Sequence, residues 1–299
     1  MIQAVSLTKI FDKKHALDEF SCNIADGSVY GLVGSNGSGK STFLRVVSGV
    51  YKPDGGDIIV DGMETFNNPE LKAKISYLPD TPYFFNQANL GEMCDFYSKI
   101  YPTFDKERFS SLLKVFPLST TDKIANMSKG MQRQGALMLS LSTRPKYLLL
   151  DEAFDGLDPV MRQVLKGLLS EGVTEDGLTV VISSHNLREL EDLCDHVGLI
   201  HAGKLISEGA TDSIKNRIHK VQVAFQRIPD ISVFDELDVL KIDRVGSVVT
   251  LVAKGEEKEI LSYISRLCPL FAESVPISLE ELFIYEMGVC GYDASSLLG

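Results

Sequence analysis

The 299-residue chain has no long hydrophobic run. Its consecutive apolar stretches are short, as in "YLLL" at 147–150, whereas a helix that spans a bilayer needs about 20 such residues. The opening "MIQAVSLTKIFDKK" lacks a basic region followed by an apolar stretch, so no signal peptide is expected. Positive charge is also scarce: 30 Lys and Arg stand against 41 Asp and Glu, a net charge of −11. The sequence pI is about 5.0. That deficit argues against gripping a nucleic-acid backbone and against charge-driven adsorption to anionic lipid, so nucleic acid is not an expected partner. Cys22, Cys94, Cys194, Cys268 and Cys290 are an odd number with no Cys-x-x-Cys pair. Free thiols in a reducing cytoplasm are expected, rather than disulfides or zinc. Nor do His15, His196, His201 and His219 show ligand spacing with His185, which argues against a zinc site. Repeats and low-complexity linkers are absent.

What is present is ordinary globular material, 44% hydrophobic and 24% charged, enough for one large domain and a smaller one. From residue 1 to about 211, short apolar runs alternate with amphipathic stretches, the pattern of a largely parallel sheet covered by helices. "SVYGLVG" (28–34), "KYLLLD" (146–151) and "LTVVISS" (178–184) read as buried strands, apolar throughout rather than alternating. Lys40 opens a helix after the first of these. Asp158 and Pro159 form an N-cap and first helical position, followed by Val160, Val164, Leu165, Leu168 and Leu169 at helical spacing. Residues 88–140 lack strand signals, and Phe109, Leu112, Leu113 and Phe116 recur with a helical period, so a helical insert is expected there. Residues 212–299 read as a separate α+β unit. "VQVAF" (221–225) and "SVVTLVA" (247–253) resemble strands, and a helix fits between Glu256 and Leu267. Near the end "ISLEELFIYEM" has a capping box, Ser278 with Glu281, and an Ile277/Leu282 staple. Leu279, Leu282, Phe283 and Met287 give this last helix an apolar face.

Chemistry concentrates in two places. "GSNGSGKST" (34–42) fits G-x-x-x-x-G-K-[ST] with Gly34, Gly39, Lys40 and Ser41, directly after a buried strand and before a helix. Along Gly34, Ser35, Asn36, Gly37, Ser38 and Gly39 the backbone N–H groups can turn inward around phosphate oxygens. Lys40 is then placed for the β- and γ-phosphates and Ser41 for Mg²⁺, and Thr42 is expected to complete the nucleotide-binding stretch. The motif implies a nucleoside triphosphate, which kinases, GTPases and motors also bind. "YLLLDEAFDGLD" (147–158) runs a strand into Asp151, whose carboxylate then lies beside the cradle and can hold Mg²⁺ directly or through water. Glu152, next in the chain, is placed to polarise a water for attack on the γ-phosphate. His185 ends another buried strand, with Asn186 and Glu189 suggesting a new helix cap; spacing alone leaves it between a structural and a functional role.

With the cradle, "LLLDE", "SSH" and "MSKGM" in this order, residues 1–211 resemble the nucleotide-binding subunit of an ATP-binding-cassette (ABC) transporter. The resemblance implies an α/β P-loop NTPase core of ABC ATPase type, with a helical subdomain and with ATP and Mg²⁺ bound. Phe11 matches the aromatic that stacks on adenine, Asp151 the Mg²⁺-side acid, and Glu152 the base. Asp158 matches a loop that communicates across a dimer, and His185 the switch that senses the γ-phosphate. "MSKGM" (127–131) resembles the signature sequence, with Ser128 and Gly130 retained, and in this family it caps the γ-phosphate held by a second subunit. Lys129 and Met131 depart from the usual form, and "SKGM" is similar to bacterial exporter-type ATPases. Asp80, in "ISYLPDTPYF", stands where the family's Q-loop has Gln, and it is expected to reach the metal through water. The implied function is an ATPase that drives transport, with export expected. Its implied partners are a second ABC ATPase subunit, in a homo- or heterodimer, and integral membrane permease subunits at the cytoplasmic face of the cell membrane. An ABC ATPase acting on ribosomes or DNA would be expected to join two cassettes or insert a long coiled coil. A P-loop kinase or GTPase would need neither "MSKGM" nor a Glu directly after Asp151.

Overall fold

The computed structural model describes residues 1–211, 213, 218–227 and 229–289, without the side chains of 283 and 286–289. Cys290 and the side chains of Phe283 and Met287 lie outside that set. Chain contacts divide the molecule into two compact units, Met1–Glu208 and Gly209–Gly299.

In the first unit the elements run β1 (Ile2–Phe11), β2 (Lys14–Ile24), β3 (Val29–Val33), α1 (Lys40–Val47), β4 (Gly55–Val60), β5 (Met63–Glu64), α2 (Pro69–Lys72) and β6 (Ile75–Leu78). Then come α3 (Leu90–Ile100), α4 (Lys106–Val115), α5 (Lys129–Ser142), β7 (Tyr147–Asp151), α6 (Pro159–Asp176), β8 (Thr179–Ser184), α7 (Leu187–Leu190), β9 (His196–His201) and β10 (Lys204–Ala210). Six strands form one sheet in the order β10-β9-β3-β8-β7-β6, and β9, β3, β8, β7 and β6 run parallel. Strands β3, β7 and β8 are buried at every residue, as expected of strands covered on both faces. Their register aligns Val33 with Ser184 and Asp151 with Ser183, so three carboxyl ends meet at one level. Ligands bind at such ends in open α/β sheets.

A second sheet, β2-β1-β4-β5, is antiparallel and was not legible in the pattern. The β1 strand shifts register against β2 three times and carries Ser6 at φ 47°, so its apolar residues do not alternate cleanly. Helix α1 packs Phe43, Leu44, Val46 and Val47 into a core shared with Leu7, Leu17, Phe20, Tyr147, Leu149 and Val181. In the helical region α3, α4 and α5 bury Leu90, Phe109, Leu112 and Leu137. Helix α6 starts at Pro159 under an Asp158 cap and buries Leu165 and Leu169, while Val160 in its first turn faces solvent.

The second unit holds β11 (Ile218–Ala224), β12 (Asp238–Val245), β13 (Val248–Lys254), α8 (Glu257–Arg266), β14 (Phe271–Val275) and α9 (Leu279–Val289). Its antiparallel sheet has the order β12-β13-β11-β14. Val221, Val223, Leu251, Ile260 and Ile264 pack within one core. The start of α9 carries a reciprocal capping box: Ser278 N donates to Glu281 Oε2 (3.1 Å) and Glu281 N to Ser278 Oγ (3.2 Å). Cys22, Cys94 and Cys194 are buried thiols and Cys268 is an exposed one. Burial pushes the Cys22 and Cys194 thiols far up, which leaves them inert at neutral pH.

Candidate active site

The loop from Gly34 to Gly39 joins the buried end of β3 to α1. A Cβ on Gly34 would lie 2.2 Å from the Ile200 carbonyl oxygen, and one on Gly39, at φ +118°, 2.5 Å from that of Ala16. Only glycine closes the loop at these points. Ser38 is buried, and its Oγ packs against Gly34, 2.6 Å from where a Cβ there would stand, without a hydrogen-bond partner among the described residues. Gly34→Ala is expected to cost about 1–3 kcal/mol of stability and to weaken stabilisation by ATP, read as thermal melting with and without nucleotide. A melt unchanged in both conditions would contradict the loop geometry.

Around the cradle the charged groups interlock. Lys40 is buried, and its Nζ donates to the carbonyls of Gly34 (2.7 Å) and Ser35 (3.3 Å) while lying 3.1 Å from Glu152 Oε1. The other carboxylate oxygen of Glu152 meets His185 Nδ1 at 2.9 Å and accepts from the His185 N–H at 3.2 Å. Asp151 is buried; its Oδ1 accepts from Ser41 Oγ (2.9 Å) and Ser183 Oγ (2.7 Å), and its Oδ2 from the Tyr77 hydroxyl (3.3 Å). Burial, reinforced by the Asp151 charge, pushes the Tyr77 hydroxyl up to about 12, so it remains a donor at neutral pH. The Ser41 hydroxyl and Asp151 carboxylate form an all-oxygen pair suited to a hard cation, and Mg²⁺ fits that donor set. Ligand atoms of Glu152, Asp155 and His185 also fall within 4.8 Å of one another.

The remaining expected residues lie elsewhere around this centre. Ser128 is exposed and caps α5, accepting from Met131 N at 3.2 Å. Gly130 sits so close to the Gly156 carbonyl oxygen that a Cβ would stand 2.8 Å from it. Asp158 caps α6 through bonds from Val160 N (2.9 Å) and Met161 N (3.0 Å). Phe11 ends β1 at the tip of the β1–β2 hairpin, partly exposed, with its ring edge-on to Tyr51 at 5.3 Å. Asp80 directs Oδ1 to Arg133 Nη2 at 2.7 Å. Tyr77, Ser183 and Arg133 were missed in the sequence. The paired serines ending the otherwise apolar "VVISS" were the one available signal, since a hydroxyl there must find a polar partner.

The ABC transporter family profile matches residues 17–155. The ABC transporter ATP-binding protein YtrB of Bacillus subtilis (strain 168) is 31% identical over 288 residues, covering 96% of this chain and 98% of that one. The bacitracin transport ATP-binding protein BcrA of Bacillus licheniformis is 33% identical over 223 residues, 74% of this chain and 73% of its own. Among solved structures, an ATP-binding subunit of an ABC transporter superposes with a TM-score of 0.67 at 26% identity, covering 72% of this chain and 92% of that one. A phosphate cradle, an adjoining Asp-Glu pair and a full-length relative together place the chain in the ABC transporter family, among its ATP-binding, ATP-hydrolysing subunits.

Proposed function

We propose that the chain hydrolyses ATP as one of a pair of cassettes and so energises transport, in the direction of export, through separate integral membrane permease subunits. One observation carries this reading: Glu152 bridges Lys40 and His185 beside a cradle whose Ser41 bonds Asp151. A triphosphate in the loop offers Lys40 more negative charge than Glu152 does, so its arrival frees Oε1 for a water. Glu152 then accepts the proton of that water, and the His185 ring, bonded at Nδ1, holds the carboxylate in orientation. Ser41 and Asp151 would hold Mg²⁺, which would supply charge neutralisation for the phosphate oxygens. Ser128, Gly130 and the N-terminus of α5 supply donors to nucleotide in the partner cassette, and Asp158 lies on the facing loop. Phe11 supplies the ring face for adenine. In this reading 1–211 is the ATPase, with 88–140 its helical subdomain, and 212–299 an accessory domain.

Export is favoured by the "SKGM" form of the signature and by the likeness to a bacitracin transport protein. No helix among the described residues is long and apolar enough to cross a membrane, so membrane association at the cytoplasmic face falls to the permease subunits. Their contact is the surface around 80–95, where Tyr83, Phe85 and Phe96 are exposed and pack edge to face at 6.4 and 4.6 Å. In membranes of the source cell, a tagged chain is expected to retain an integral membrane protein on purification, and Phe85→Glu to lose it while the free chain keeps its ATPase rate. Recovery without any membrane partner would contradict the transport reading.

A further inference from the structure

We propose that Arg133 is a positioning residue for the hydrolytic base and that Asp80 is its counter-charge, so that the loop after β6 grips the backbone of Glu152. The inference rests on the hydrolytic reading of Glu152. Arg133 is buried in the first turns of α5, five residues beyond the capping Ser128. Its Nη1 donates to the Glu152 carbonyl at 2.9 Å and to the Asp155 carbonyl; its Nη2 donates to the Asp80 carbonyl and to Asp80 Oδ1 at 2.7 Å. One guanidinium thus ties together the loop after β6, the end of β7 and the turn before α6.

The grip falls where the backbone needs it. Glu152 has φ 49°, the left-handed region that a residue with a Cβ enters only at a cost. On one side its N–H is held by the Ser183 carbonyl (3.2 Å) and Ser183 Oγ (3.1 Å). On the other side its carbonyl is held by Arg133 and by Asp155 N (3.1 Å). Both flanking peptides being fixed, the carboxylate is delivered to Lys40 and His185. A planar fork with five donors can serve three separate loops at once, and a lysine ammonium cannot reproduce it.

Charge decides the identity of residue 80. A guanidinium spending most of its donors on neutral carbonyls remains an uncompensated buried cation. Asp80 supplies the missing negative charge, and glutamine at this place would not. The Asp80 carboxylate is therefore committed to Arg133, and it acts on the site through Arg133. The chain continues from Asp80 to the exposed Tyr83 and Phe85, so a pull on that surface reaches the Glu152 carbonyl through a single side chain.

The test uses the purified full-length chain and the variants Asp80→Asn, Arg133→Lys and the double variant. Turnover is read as phosphate release, nucleotide affinity with a fluorescent ATP analogue in EDTA, and amide exchange over the 152–156 segment. Asp80 is largely exposed, so Asp80→Asn leaves the fold intact even if Arg133→Lys does not. Each single variant is expected to lower kcat about tenfold with KM and analogue affinity within about twofold, because the base is misplaced while the cradle is untouched. Both should speed exchange of the Asp155 amide, and the double variant should be no worse than Arg133→Lys alone, as expected of one shared interaction. Wild-type kcat and exchange in Asp80→Asn would overturn the proposal. So would effects that multiply in the double variant, or a rise of about tenfold in the half-saturating Mg²⁺ for Asp80→Asn alone, which would make Asp80 a metal contact. A wild-type chain without turnover, but with exchange loosened by Asp80→Asn, would keep the grip and sink the hydrolytic reading instead.

Discussion

Glu152→Gln is expected to lower phosphate release by about 10²–10⁴-fold, the usual contribution of a positioned general base, while ATP still binds. The substitution keeps the shape and the hydrogen-bonding reach of the side chain. It removes the charge that Lys40 and His185 face at 3.1 and 2.9 Å. Neither Gly34, Gly39 nor Ser41 depends on that charge, so the cradle still accepts nucleotide. Steady-state phosphate release beside equilibrium binding of ATP measures the two effects separately. Equal loss of both would mean that Glu152 serves the structure of the cradle rather than the attack.

Ser128→Arg is expected to remove hydrolysis by a different route, with a loss of about 10²–10³-fold, the scale for deleting donors aimed at a reacting oxyanion. Ser128 is exposed, and among the described residues its side chain serves the first turn of α5 through Met131 N. Loss of that cap costs about 0.5–2 kcal/mol, which the long, largely buried helix α5 tolerates. On the proposed pairing, the arginine covers by bulk the donor surface at the helix N-terminus that would face the partner's phosphate. Binding of ATP to the chain's own cradle should be unchanged, and melting should shift by only a few degrees. Full turnover in Ser128→Arg would place the signature outside catalysis.

Legibility followed the range of each interaction. The cradle could be read because its glycines, lysine and serine are contiguous and its flanking strand and helix carry their own patterns. Asp151 and Glu152 stood out as charges ending a wholly apolar strand. Tyr77 and Asp151 meet across 74 positions of sequence, and Arg133 and Asp80 across 53, so no local pattern pairs them. Asp80 was visible as a departure from the family's Gln, but its partner needed coordinates. The same holds for strands. In the second unit the central β11 and β13 are rich in buried β-branched residues and were legible, whereas the edge strands β12 and β14 bury almost nothing and were not. The β1–β2 hairpin escaped because its bulges break the alternation on which a strand is recognised.

The most direct test of the account is the identity of the nucleotide held by the Glu152→Gln chain after incubation with MgATP and rapid removal of free ligand. In the proposed mechanism Lys40, Ser41 and Asp151 hold the substrate, and Glu152, 3.1 Å from Lys40, supplies the base. The retained nucleotide is therefore predicted to be ATP in the variant and ADP in the wild-type chain. ADP in both would contradict the assignment of Glu152, and with it the hydrolytic mechanism.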